Sequence, residues 1–289
     1  MNVPLFTGVC TALVTPFLDG KLNTPMLQQL LKRQADSGVK AIVLSGTTGE
    51  APTLSDREKT EMILRAKEDI GDRCLIIAGT GSNSTAHAIE LSQQAEEAGA
   101  DALLVVAPYY NKTNTEGLFA HFMSIAQAVK IPIILYNVPS RTGVDIPVSV
   151  YKRLSAIPNI VGVKEASSDI TKTARICTSC TDRFFVWSGN DDMIVPSISL
   201  GGKGIISVLS NIMPEETVIM TEAALDGDID TAADLQRRLL PLIDLLFKEV
   251  NPIPVKYAMK RIGYDCGNCR LPLAPLSSEN KLLLDTYFG

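Results

Sequence analysis

Long apolar runs are missing from this chain of 289 residues; none reaches the ~18 residues that a membrane-spanning helix needs. The amino-terminal segment MNVPLFTGVC has no basic stretch leading into an apolar core, so no secretory leader is expected. Blocks of like charge are missing as well. The 27 Lys and Arg against 32 Asp and Glu leave a formal net charge of −5, which disfavours nucleic acid or an acidic membrane as a partner. Low-complexity tracts and flexible linkers are absent. There are only two histidines, His87 and His121, on separate helix-like stretches. No His/Asp/Glu cluster at metal-ligand spacing results, so no metal is expected. What remains is a soluble, cytosolic chain of ordinary globular composition.

Cysteine is sparse, but four of the six residues form two C-x-x-C pairs, Cys177/Cys180 and Cys266/Cys269. Their separation far exceeds the roughly 15–20 residues of a zinc ribbon. Reduced, incidental thiols without zinc or disulfides are the expectation.

Against these absences stands a regular beat of short apolar runs and amphipathic stretches. The runs are GVCTALVTPF (8–17), AIVLSG (41–46), CLIIAGTG (74–81), ALLVVAP (102–108), PIILYNVP (132–139), IVGVKEA (160–166), FFVWSGND (184–191) and GIISVLSN (204–211). Each is continuous rather than alternating, as in parallel strands buried on both faces. Helices lie between them. Ser55 and Glu58 form a capping box ahead of a helix that stops at Gly71, Thr24-Pro25 opens an earlier helix, and Ser84–Ala98 and Thr115–Val129 repeat the plan. Eight such units predict an eight-stranded parallel (β/α)8 barrel over residues 1–224. The rival, an open doubly wound sheet, usually carries a Gly-rich phosphate loop after its first strand, where this chain has TPFLDGK. Residues 215–262 read as helix, so 225–289 form a C-terminal helical extension.

In such a barrel, polar residues at strand ends are candidates for catalysis. The second strand ends in Ser45-Gly-Thr47-Thr48-Gly-Glu50, either an ordinary turn or a cradle of hydroxyls and backbone N–H groups for a carboxylate. Tyr109 and Tyr110 follow the fourth strand, and Tyr136 closes the fifth. Arg141 offers a planar fork for a carboxylate or a surface salt bridge. Lys164 lies inside an apolar strand, where an amine is costly unless paired or neutral. Left neutral it attacks carbonyls, as Schiff-base lysines do; an ion pair with Glu165 or another acid is the alternative. Gly162, two residues earlier on the same face, leaves room near the lysine. A tyrosine beside such a lysine can relay protons.

The set GTTGE (46–50), APYYNK (107–112), YNVPSRTG (136–143), GVKEAS (162–167), SGND (188–191) and NPIPVK (251–256) resembles the dihydrodipicolinate synthase family of pyruvate-dependent Schiff-base lyases over essentially the whole chain. The resemblance implies that Lys164 forms a Schiff base with pyruvate, with no cofactor besides that covalent adduct. It implies Tyr136 as proton donor and acceptor, with Thr47 and a neighbouring subunit's Tyr110 completing a relay. Thr48, the backbone of Ile206 and Gly189 would bind pyruvate, and Arg141 the carboxylate of L-aspartate 4-semialdehyde. The product would be 4-hydroxy-tetrahydrodipicolinate, on the diaminopimelate–lysine route, made by at least a homodimer and more fully a homotetramer. Asn190 departs from the SGDD frequent in the family, with little effect expected.

Sister activities on the same scaffold, N-acetylneuraminate lyase or a keto-deoxy-sugar-acid aldolase, share the lysine and tyrosine but differ at Ser140-Arg141. A non-catalytic binding barrel would lack a relay member, and none is lacking. Lysine-sensitive relatives bind the amino acid at a dimer interface, and here Asn83 and Tyr109 match that site. His87 stands where a glutamate is expected, and Asp56 and Lys59 where histidines are frequent. A second cation 4 Å from the ligand's ammonium costs about 1 kcal/mol in water and about 4 at an effective dielectric of 20. Weak or absent inhibition is the expectation, with Asp56 able to offset part of the loss if it turns inward.

Overall fold

In a computed structural model, which describes residues 3–289, eight parallel strands close into a barrel. Residues 1 and 2, where the expected barrel segment 1–224 and the reading of the amino terminus begin, lie outside the described residues. The strands are β1 (Gly8–Ala12), β2 (Ala41–Leu44), β3 (Leu75–Gly79), β4 (Ala102–Val106), β5 (Ile133–Asn137), β6 (Ile160–Glu165), β7 (Phe185–Ser188) and β8 (Gly204–Ser207). Each pairs with the next, and β8 returns to β1. The expected (β/α)8 barrel is therefore what the chain forms.

Helices α1 (Thr24–Asp36), α2 (Asp56–Ile70), α3 (Thr85–Glu97), α4 (Thr115–Ala128), the short α5 (Pro139–Thr142), α6 (Val148–Leu154), α7 (Ile170–Ser179), α8 (Ile194–Ser199) and α9 (Pro214–Asp226) ring it. Strand alternation sorts the core into two layers. Val9, Ile42, Ile76, Leu103, Leu135 and Val163 face outward to the helices. Cys10, Val43, Ile77, Leu104, Ile134, Trp187 and Ile206 fill the barrel itself. The capping box forms as the sequence predicts: the Ser55 side chain accepts from the Glu58 N–H and the Glu58 carboxylate from the Ser55 N–H.

One segment departs from expectation. The first run is a strand only to Ala12; past Pro16, which has no N–H for a ladder, Phe17–Leu18 forms a small antiparallel hairpin with Lys21–Leu22. The stretch 215–262 forms separate helices, as its sequence predicts. Gly227 takes φ +87° at the end of α9, a conformation that favours glycine. A loop carrying Asn251 and Pro252 then separates α10 (Ile229–Leu246) from α11 (Ile253–Arg261), and α12 (Ser278–Phe288) ends the chain. This extension packs back on the barrel beside the carboxyl ends of the strands, where Lys256 and Arg270 both cover the ring of Phe17.

Candidate active site

Register puts the expected centre together. Tyr136 of β5 pairs with Lys164 of β6, and Lys164 pairs with Trp187 of β7, so all three project to the inside of the barrel. Lys164 is 5% exposed, and its Nζ lies 4.6 Å from the Tyr136 ring centroid. Among the described residues it forms no salt bridge. The next residue, Glu165, points the opposite way and is saturated there. Its carboxylate accepts from Asn137 Nδ2 at 2.9 Å, Ser167 N at 2.8 Å and Tyr151 Oη at 3.2 Å, and it faces Lys172 at 3.8 Å. The open choice between a paired and an unpaired Lys164 thus falls to the unpaired one.

The room expected from Gly162 is taken up differently. A Cβ there would stand 2.1 Å from the Phe185 carbonyl oxygen and 2.7 Å from the Trp187 ring, so Gly162 admits the indole rather than the lysine. Trp187 donates to the Phe6 carbonyl at 3.2 Å and stacks on the Phe6 ring, closing the barrel floor. The glycine that gives the lysine space is Gly189, where a Cβ would lie 2.9 Å from Lys164 Cε and 2.6 Å from Ala166 Cβ. Asn190 keeps its amide in use, donating to the Ser167 carbonyl at 3.0 Å.

A cavity of about 430 Å³ opens at this end of the barrel, with Thr47, Tyr136, Tyr109 and Arg141 in its wall. Thr48, the next residue, is buried. Ile206 has its side chain wholly inside the barrel, which leaves only its backbone as a possible contact. Behind it Asp191 braces the turn after β8, its carboxylate accepting from the N–H groups of Val208 and Leu209 at 3.0 Å each. Burial pushes the Asp191 carboxyl up, against those hydrogen bonds and the field of Lys164. Tyr110 is not part of the cavity in its own chain: it is 90% exposed and held at φ +70°. Ser45 and Glu50, at φ +50° and +58°, bracket the Thr47–Thr48 turn, so strained backbone gathers at this mouth.

The same cavity runs outward to Asp56, Lys59 and His87. Asp56 has turned toward its own neighbours, with Lys59 Nζ at 3.3 Å and His87 Nε2 at 3.4 Å. Partial burial works against that carboxylate, but the two hydrogen bonds together outweigh it and hold Asp56 below the usual carboxylate range. Asn83 is not among the residues lining this cavity, and its main-chain carbonyl accepts from Asn111 Nδ2 at 2.9 Å.

Asn251 and Lys256, the first and last residues of the NPIPVK motif, were given no individual role from sequence. Asn251 donates from Nδ2 to Thr48 Oγ1 at 3.0 Å, and its carbonyl accepts from Arg141 Nη2 at 3.1 Å. Lys256 forms a buried pair with Glu50 at 2.9 Å. All six cysteines are free thiols, and burial pushes Cys266 and Cys269 up to about 12. Among the described residues no group of three or more His, Cys, Asp or Glu is placed to hold a metal ion, and no helix is long and apolar enough to cross a membrane.

Comparison with known proteins gives concordant matches. The model of the dihydrodipicolinate synthetase family matches residues 5–287. The chain is 48% identical to the 4-hydroxy-tetrahydrodipicolinate synthase of Acetivibrio thermocellus over 280 residues, which is 97% of this chain and 95% of that one. Among solved structures, the dihydrodipicolinate synthase of Aquifex aeolicus is similar at a TM-score of 0.96 and 42% identity, covering 98% of this chain and 97% of that one. The enzyme of Cyanidioschyzon merolae with lysine bound superposes at a TM-score of 0.95 and 38% identity, covering 98% and 97%.

Proposed function

The chain belongs to the dihydrodipicolinate synthetase family, and on that footing we propose that it condenses pyruvate with L-aspartate 4-semialdehyde through a Schiff base on Lys164 to give 4-hydroxy-tetrahydrodipicolinate. One observation carries the reading: a buried lysine amine, without a carboxylate partner among the described residues, stands against a tyrosine ring at a barrel mouth. The neutral amine adds to the pyruvate carbonyl, the carbinolamine loses water, and the resulting iminium acidifies the methyl group. Loss of a methyl proton gives an enamine, which attacks the aldehyde carbon. The semialdehyde's own amino group then adds to the iminium carbon, closing the ring and releasing Lys164, so one water is lost in all.

The phenol of Tyr136 relays the protons of carbinolamine formation and dehydration, with Thr47 and Tyr110 of the partner subunit extending the relay. Two features favour a contribution across an interface: the exposure of Tyr110 and its place outside its own cavity. A homodimer is then the smallest complete unit, and a homotetramer of two such dimers the proposed assembly. The Thr48 hydroxyl and the Ile206 backbone hold the pyruvate carboxylate, Gly189 clears the space around the adduct, and Arg141 takes the carboxylate of the second substrate. The iminium itself is the electron sink, so the scheme uses no metal or organic cofactor. Free thiols throughout fit a cytoplasmic site of action.

Lysine is proposed to inhibit weakly. Asp56 is already engaged by Lys59 and His87, so it does not offset the cation that Lys59 brings to the cavity.

The test is a product assay with both substrates. Turnover of pyruvate with the semialdehyde, little changed by millimolar lysine and abolished in Lys164→Ala, is expected. Cleavage of N-acetylneuraminate or a keto-deoxy sugar acid, with no turnover of the semialdehyde, would overturn it.

A further inference from the structure

The extension reaches the hydroxyl of Thr48 through Asn251. Asn251, buried in the loop between α10 and α11, divides its hydrogen bonds between two parts of the mouth. Its side chain donates to the Thr48 hydroxyl, and its main-chain carbonyl accepts from Arg141. Among the described residues its buried Oδ1 has no partner.

We infer that Asn251 is a positioning residue, orienting the Thr48 hydroxyl for the carboxylate of the keto acid; this rests on the function proposed above. A hydroxyl has one proton and two acceptor lone pairs. Once a lone pair of Thr48 Oγ1 accepts the Asn251 N–H, the remaining proton is left for another acceptor. Among the described residues Thr48 Oγ1 has no second partner, so that proton is available to a substrate carboxylate. The amide is an expensive choice if packing alone mattered, because its unpaired Oδ1 carries a desolvation cost that an apolar side chain of similar size avoids. Lys256, on the first turns of α11, fixes Glu50 at the other end of the same turn, so the extension holds the turn 46–50 at two points.

The division of labour makes the inference testable. Only the side chain serves Thr48, whereas the carbonyl that receives Arg141 survives any substitution. In a reaction where the adduct forms before the second substrate enters, kcat/KM for each substrate reports its own half. Asn251→Ala should therefore lower kcat/KM for pyruvate about tenfold while changing that for the semialdehyde less than about threefold. Asn251→Asp, close in shape, should lower the pyruvate value about 100-fold, because a carboxylate captures the Thr48 proton and repels the substrate's charge. In Thr48→Val the Asn251→Ala change should add less than about twofold.

Equal losses for both substrates in folded variants, or an unchanged pyruvate value in Asn251→Asp, would overturn the inference. Thermal melting identifies a variant that has not folded, and if Asn251→Ala fails there the near-isosteric Asn251→Asp decides. Borohydride trapping of pyruvate on the wild-type protein separates the two levels. A trapped adduct with unaltered variants removes only the role of Asn251; no adduct in the wild type removes the proposed function and this inference with it.

Discussion

Lys164 keeps its amine unpaired because strand geometry sends its neighbour the other way. Successive side chains on β6 alternate between faces, and Glu165 finds Asn137, Tyr151 and Lys172 behind the sheet. The polar pair in sequence is thereby split into an unpaired amine inside and a brace outside. The brace bears on function, since Asn137 directly follows Tyr136 and the Asn137–Glu165 contact ties the ends of β5 and β6 together. Residue types at strand ends were enough to single out Lys164, Tyr136, Thr47 and Arg141, because a lysine in an apolar strand is conspicuous. Asn251 was not visible in this way: an ordinary asparagine, 203 positions from Thr48, acquires its role only when the extension folds back. At this scale Arg141→Ala should lower kcat/KM for the semialdehyde by about 10- to 100-fold, the worth of a hydrogen bond to a charged group. Pyruvate adduct formation should persist. A parallel loss of adduct formation, read by mass spectrometry after borohydride reduction, would contradict the assignment.

At the scale of elements, continuous Val- and Ile-rich runs and helix caps located all eight strands, because both signals are local. Long-range clips were not legible. Arg270, in the loop after α11, donates to both carboxylate oxygens of Glu58 in the first turn of α2, at 2.5 and 2.9 Å, and to the carbonyls of Gly20 and Thr53. The Arg270 hydrogen bond, above all, holds the Glu58 carboxyl down at about 2, from 4.5. A carboxylate whose folded value is depressed adds stability that is full above its unfolded value and is lost as pH falls through the folded one. With solvent screening allowed for, the charged Glu58 should therefore contribute on the order of 1 kcal/mol at neutral pH, declining between about pH 4.5 and 2. Glu58→Gln preserves the capping box while removing the charge. Its melting temperature should lie below that of the wild type at pH 7, with the gap narrowing steadily toward pH 3. A gap independent of pH would show that the charge contributes nothing.

For the whole molecule, barrel and extension converge on one mouth. The barrel supplies Lys164 and Tyr136, the extension steadies the turn that carries Thr48, and the exposed Tyr110 is the group proposed to reach a partner. The continuity of the cavity from Tyr136 and Arg141 out to Asp56, Lys59 and His87 had no counterpart in the sequence. Continuity of empty space depends on how α2 and α3 pack, not on any motif. The central claim concerns covalent chemistry at a single amine, and trapping on the full chain tests it most directly. Pyruvate and borohydride together should inactivate the protein in step with one reduced adduct per chain, located by peptide mass spectrometry on Lys164. An adduct on another lysine, or full activity with none, would contradict it.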